Sequence, residues 1–229
     1  CVISSRKDIM TPRERIKRYC FFIAGLFVLA FGVALSVKAD LGTSHISSLP
    51  YVLSLGMPLT IGQFTILMHV VFIGIQIALL RKNFQWIQLM QLPAAIIFGY
   101  FTDFALYLIA GLTPANYLQQ WIWVLASCII VALGVSMEVV ANVVMLAGEG
   151  LAKAIADVTR NEFGKTKVFF DITLVLIAIG CSMLMFRNVA GVREGTLAAA
   201  LLVGTISRFF TRKLRPFEHR VLCEKSAES

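Results

Sequence analysis

A few ionisable and polar side chains stand inside stretches that are otherwise apolar, and any chemistry this chain performs must run through them. Glu138 lies deepest, within Val135-Ser136-Met137-Glu138-Val139-Val140, and Asn142 follows one helical turn later on the same face. A charge at the centre of a membrane helix costs about 2.5–3.5 kcal/mol on insertion scales. A carboxyl there therefore holds a proton or faces a cation. Those states correspond to a proton-coupling group or to a site for a substrate amine. A protonated carboxyl hydrogen-bonded between helices is the structural alternative. Asp171 stands near the start of another apolar run, Val168-Phe169-Phe170-Asp171-Ile172-Thr173, with Lys167 four residues earlier. That spacing suits a local ion pair as well as a functional carboxylate. His69, in a third run, can donate and accept, and serves equally as an interhelical hydrogen bonder.

The remaining candidates sit nearer the ends of apolar runs. Asp103 interrupts Tyr100-Phe101-Thr102-Asp103-Phe104. Asp40 precedes Gly42-Thr43-Ser44, whose amides suit an anionic group, although an N-cap role for Asp40, Thr43 or Ser44 fits equally. Glu149 complements the N-terminal dipole of a short helix or lines an entry path. Gln63 and Gln76 add hydrogen-bonding capacity. The candidate substrate or proton-coupling residues are thus Glu138, Asn142, Asp171, His69, Asp103, Asp40, Gln63 and Glu149, with no catalytic residue among them. Lys38 and Arg208 read as anchors that snorkel towards headgroups. Cys1, Cys20, Cys128, Cys181 and Cys223 are scattered, with neither metal-ligand spacing nor a disulfide framework. No metal and no cofactor are expected.

The elements that position these residues must be membrane helices. Hydrophobic residues make up 58% of the 229 and charged residues 15%, well below the ~25% of soluble domains, so lipid is part of the solvent. Six apolar segments run at 19–38, 60–80, 87–110, 119–146, 166–186 and 195–211, the last being the shortest. A helical span needs about 20 residues, and unpaired backbone is prohibitive in lipid. The expected fold is therefore all-α, a polytopic transmembrane bundle of about six spans.

The net charge of +8 follows topology rather than a nucleic-acid face. Lys and Arg gather before the first span, after the second, after the fourth and after the sixth, which assigns both termini to the cytoplasm. Two Gly-led stretches, from Leu41 to Val52 and from Ala147 to Asp157, read as breakers followed by short helices at or dipping into the interface. Trp86, Trp121 and Trp123 fall at span ends, as interfacial anchors do.

The second half can be laid over the first in order. Leu29-Ala30-Phe31-Gly32-Val33 matches Val131-Ala132-Leu133-Gly134-Val135, and Asp40 falls on Asn142. Gly42 meets Gly148, Ile61-Gly62-Gln63 meets Phe163-Gly164-Lys165, and His69 meets Asp171. Further on, Phe98-Gly99 meets Val203-Gly204, and Asp103 meets Arg208. Chance alignment of apolar helices is the alternative. A real repeat has three spans per unit, so the second unit is inverted, as in many secondary transporters. The expected organisation is a basic segment 1–18, a first unit 19–111, a second unit 119–211 and a basic tail 212–229.

Lys38-Ala39-Asp40-Leu41-Gly42-Thr43-Ser44, Leu59-Thr60-Ile61-Gly62-Gln63, Phe163-Gly164-Lys165-Thr166-Lys167-Val168 and Arg193-Glu194-Gly195-Thr196 together resemble the YczE/YyaS/YitT group of bacterial multi-pass membrane proteins. The resemblance covers most of residues 15–212 and is closer to the YczE-type branch, since only a short basic tail follows. It implies a bacterial inner-membrane protein with a transporter-like role.

No HExxH, GxSxG, Walker or GxGxxG pattern is present, so an enzyme is not expected. The function expected is movement of a small solute or ion across the bacterial inner membrane, with proton coupling at the buried carboxyls. A non-transporting membrane partner, or a scaffold that binds lipid or a small molecule, is the alternative. The expected partners are the bilayer and an unidentified solute or ion, not nucleic acid; a slim bundle is also compatible with a homodimer.

Overall fold

The computed structural model describes residues 12–189 and 191–217, and all regular structure among them is helical. Residues 1–11 and 218–229 of the basic ends, with Cys1 and Cys223, lie outside the described residues. The helices are α1 (Pro12–Lys38), α2 (Ser48–Gly56), α3 (Ile61–Leu80), α4 (Gln91–Leu108), α5 (Tyr117–Ala141), α6 (Ala147–Thr159), α7 (Phe163–Phe186) and α8 (Glu194–Phe217). Two 3₁₀ turns, Arg81–Asn83 and Trp86–Met90, join α3 to α4. Among the described residues, α1, α3, α5, α7 and the Trp86–Leu108 stretch containing α4 are long and apolar enough to cross a membrane.

The expected sixth span is the 24-residue α8. It has the length to span, but Arg208, Arg212, Lys213 and Arg215 crowd its second half and dilute its apolar character. The fourth expected segment ran to residue 146, whereas α5 stops at Ala141 because Asn142 turns left-handed at φ 50°. Asp40 ends α1 in the same way at φ 56°. Arg81 and Arg187 close α3 and α7 at φ 46° and 53°.

Local chemistry explains the starts. Thr60 and Gln63 form a reciprocal capping box on α3. The Asn116 side chain accepts from the Gln119 amide at 2.9 Å to open α5. The cap expected of Thr43 or Ser44 does not form. Ser47 occupies the N-cap of α2 without a side-chain cap bond, and Ser44 Oγ donates instead to Ser47 Oγ at 3.1 Å.

The centre of the bundle is α1 against α5, the most extensive helix pair among the described residues. Lipid offers no hydrophobic drive for this contact, so small residues that allow close approach matter most. A methyl group on Gly32 would lie 2.7 Å from Val131 Cγ2, and one on Gly134 would lie 2.6 Å from the Leu29 nitrogen. Leu29 and Val131 are matched residues in the sequence, as are Gly32 and Gly134, so the matched glycines meet matched residues of the opposite helix. Leu26, Leu29, Ala30 and Val33 of α1 share one core with Val124, Cys128, Val131 and Ala132 of α5.

The other helices add to this pair in a regular pattern. α4 packs on α1 and α8 on α5. The short α2 touches α3 and also α7, while the short α6 touches α7 and also α3. Phe72 of α3 and Phe170 of α7 meet edge to face at 5.5 Å between them. The pattern breaks once: α3 packs closely along α4, whereas α7 has no comparable contact with α8. Leu184, Leu201 and Phe169 are among the large apolar side chains left facing outwards, as expected of a lipid-facing surface.

Candidate functional site

Four segments bring ionisable groups together where α5 ends and α7 begins. Lys167 and Asp171, one turn apart on α7, pair at 2.7 Å and 2.9 Å, as their spacing predicts. His45, from the segment between α1 and α2, adds its Nε2 at 3.3 Å from Asp171 Oδ2. Burial lowers the His45 pKa, the Asp171 charge opposes this and Lys167 reinforces it, so the ring stands beside the carboxylate as a neutral imidazole at neutral pH. Its Nδ1 is buried without a hydrogen-bond partner.

Glu149, in the first turn of α6, is the fourth member. Burial raises its pKa, Lys167 opposes that shift and Asp171 adds to it. Glu138, in the last turn of α5, lies within electrostatic reach of Glu149. Glu138 is only 8% exposed, and its Oε1 has no hydrogen-bond partner. An unsatisfied buried polar atom costs roughly 1–3 kcal/mol, so this carboxyl is held where structure alone does not reward it. Asp171 and Glu149 thus share one lysine, His45 stands against Asp171, and Glu138 adjoins the group through Glu149. Among the described residues no three His, Cys, Asp or Glu side chains are gathered as metal ligands.

A cleft of about 560 Å³ opens beside this cluster. Glu149 and Lys167 line it together with Arg208, Arg212 and Arg215 of α8, and Val135, Val139, Met145 and Phe163 supply apolar wall. The cleft is lined from α5, α6, α7 and α8, and α7 and α8 make no comparable contact with each other.

The other sequence candidates are placed elsewhere. His69 is buried between Phe72 and Phe98, each ring centroid 6.2 Å away, and its Nδ1 lacks a partner. Asp103 accepts from Thr60 Oγ1 at 2.6 Å and from the Gly62 amide at 2.8 Å, which ties α4 to the first turn of α3. Gln63 is committed to the same turn, its Oε1 accepting from the Thr60 amide at 3.0 Å. Asn142 does not share a face with Glu138. The helix ends before it, its side chain is exposed, and only its backbone amide returns to the Glu138 carbonyl at 3.1 Å. Asp40 is exposed, and its carbonyl accepts from Arg193 Nη1 at 2.9 Å. Lys38 donates to the Ala110 carbonyl at 2.9 Å.

Three residues gained importance only in three dimensions. His45 lay in a Gly-led segment without an apolar run to mark it as buried. Arg18 belonged by sequence to a solvated basic segment, yet it is 2% exposed. Its Nη1 donates to the Ala141 carbonyl at 3.1 Å and its Nε to Glu14 at 3.2 Å. The left-handed end of α5 leaves carbonyls open, and the guanidinium covers one of them. Gln91 accepts at 3.1 Å from Gln76, whose Nε2 also donates to the Ala147 carbonyl at 3.0 Å, fixing the start of α6.

Comparison with known proteins agrees with the resemblance seen in the sequence. The family model described as "Family of unknown function (DUF6198)" matches residues 16–212. The chain is 26% identical over 198 residues to the uncharacterized membrane protein YczE of Bacillus subtilis (strain 168), covering 86% of each chain. It is 25% identical over 194 residues to the uncharacterized protein YyaS of the same organism, covering 84% of this chain and 92% of the relative. No solved structure matches.

Proposed function

We propose that this chain, which belongs to the DUF6198 family, is a secondary transporter or facilitator for a small solute or ion in the bacterial inner membrane. The observation that carries the reading is Glu138, a buried carboxyl with a free oxygen, electrostatically joined to Glu149 beside an open cleft. A carboxyl in that setting can take up and release a proton or hold a cationic solute. In the proposed topology both termini and the arginine-lined cleft face the cytoplasm, by the distribution of Lys and Arg.

The working parts are two inverted three-span units, 19–111 and 119–211, with α2 and α6 as their short broken elements. The reciprocal Gly32–Val131 and Gly134–Leu29 contacts support an axis between α1 and α5. The exchange of short helices, α2 onto α7 and α6 onto α3, supports it as well. Lys167, Asp171 and His45 would hold the proton-accepting group in register, and no bond-making step is assigned to any residue. Proteoliposomes enclosing a pH-sensitive dye test the role. Solute-driven proton movement is expected from the native chain and lost in Glu138→Gln; an unchanged rate and pH profile in the variant would remove Glu138 from the mechanism.

A second reading has its own support. Arg208, Arg212 and Arg215 opposite Val135, Val139 and Phe163 combine charge and apolar wall in the manner of an anionic lipid site. A scaffold of that kind would retain anionic lipid through purification and would move no solute.

A further inference from the structure

Gly62 and Gly99 let α3 and α4 touch. A methyl group on Gly62 would overlap the Gly99 carbonyl, and one on Gly99 would lie 2.7 Å from the Gly62 carbonyl oxygen. Their sequence counterparts, Gly164 on α7 and Gly204 on α8, have nothing within 4 Å of where a methyl would stand. Each glycine costs a helix roughly 0.5–1 kcal/mol relative to alanine. In this conformation that cost secures no contact.

The polar groups beside the glycines follow the same spacing. Thr60 stands two residues before Gly62 and Glu162 two before Gly164; Asp103 stands four after Gly99 and Arg208 four after Gly204. In the first pair of helices Thr60 and the Gly62 amide donate to Asp103 at 2.6 Å and 2.8 Å. In the second pair the corresponding groups carry opposite charges and stand apart. The Glu162 carboxylate pairs with the exposed Lys165 at 3.3 Å, and Arg208 Nε donates to the Gly204 carbonyl of its own helix at 3.1 Å.

We propose that α7 closes onto α8 through Gly164 against Gly204, latched by Glu162 on Arg208, while α3 releases α4 at the opposite end of the bundle. The structure is then one of two end states: the Asp103 latch is shut and the cleft beside α8 is open. In the other state the cleft is gone and the path opens between α3 and α4. This deepens the transport reading and rests on its inverted units, but its test needs no transported solute.

Gly164→Cys/Gly204→Cys, in a chain whose native cysteines are replaced by serine, is oxidised with copper phenanthroline in native membranes. A disulfide within one chain is expected, since closure brings the two Cα atoms inside the ~4.4–6.8 Å window. Arg208→Glu should lower its yield about fivefold, the effect of losing one exposed ion pair. Glu162→Arg combined with Arg208→Glu should restore it. No disulfide, a yield indifferent to the charge reversal, or a bond only between two copies overturns the proposal. If the double-cysteine chain does not accumulate, spin labels at Lys165 and Thr205 replace it. Two distance populations are expected, the shorter lost in Arg208→Glu; a single population in both chains overturns the proposal. A positive result with no solute-driven proton movement in liposomes would leave the closure standing and remove only the transport reading.

Discussion

Replacing Gly134 by alanine tests the central contact directly. The added methyl would stand 2.6 Å from the Leu29 nitrogen, 2.7 Å from its Cα and 2.8 Å from its Cβ. Carbon contacts are comfortable at about 3.5–4.0 Å, so α1 and α5 must separate by about 1 Å. Two of those atoms are backbone and cannot rotate aside. Overpacking of this kind costs about 1–3 kcal/mol, against a helix-propensity gain of about 1 kcal/mol for alanine over glycine. Gly180→Ala is the control, because nothing lies within 4 Å of its added methyl and it collects the same gain without the clash. The two variants should therefore differ by about 2 kcal/mol, or about 4–8 °C in Tm for a chain of this size. Thermal unfolding of detergent-purified protein, followed by alkylation of the buried Cys128, measures the gap. Gly134→Ala melting level with Gly180→Ala would refute the close α1–α5 approach and the reasoning built on it.

Two further outcomes are expected. Arg18→Ala uncovers the Ala141 carbonyl and abandons Glu14, a loss of about 1–3 kcal/mol in the same melting assay; Arg18→Lys, with one compact ammonium in place of the fork, should recover only part of it. Glu149 has its pKa raised by burial, so the folded chain holds that proton more tightly than the unfolded chain does. Its contribution is complete below the ordinary value of 4.5 and is lost as pH rises through the raised one; Glu149→Gln should flatten Tm against pH across that interval.

The membrane class and the positions of the five helices long and apolar enough to span were legible because in lipid such apolar runs satisfy their backbone as helices. The Lys167–Asp171 pair was legible for a local reason, since four residues on a helix bring two side chains together whatever the rest of the fold does. The candidates whose partners lie far along the chain lack that locality. Asp103 could be assigned only once α4 was seen against the first turn of α3, a partner 41 residues away at Gly62. Asn142 was misplaced because the apolar residues on both sides of it suggest one continuous helix, whereas Asn is itself a residue that favours a left-handed helix end. His45 was missed for the complementary reason: its burial comes from the segment folding back into the bundle, which hydropathy along the chain does not register.

The crossed short helices also constrain how the molecule is made. α2 is synthesised early, yet part of its packing surface is supplied by α7, more than a hundred residues later; the start of α6 is pinned by Gln76 and Gln91, already in place. Insertion from the ribosome therefore leaves α2 half-covered until α7 arrives, while α6 docks as it emerges. A nascent chain stalled before α7 would be exposed to membrane proteases at α2, and the two halves expressed as separate polypeptides would each lack a surface that only the other provides.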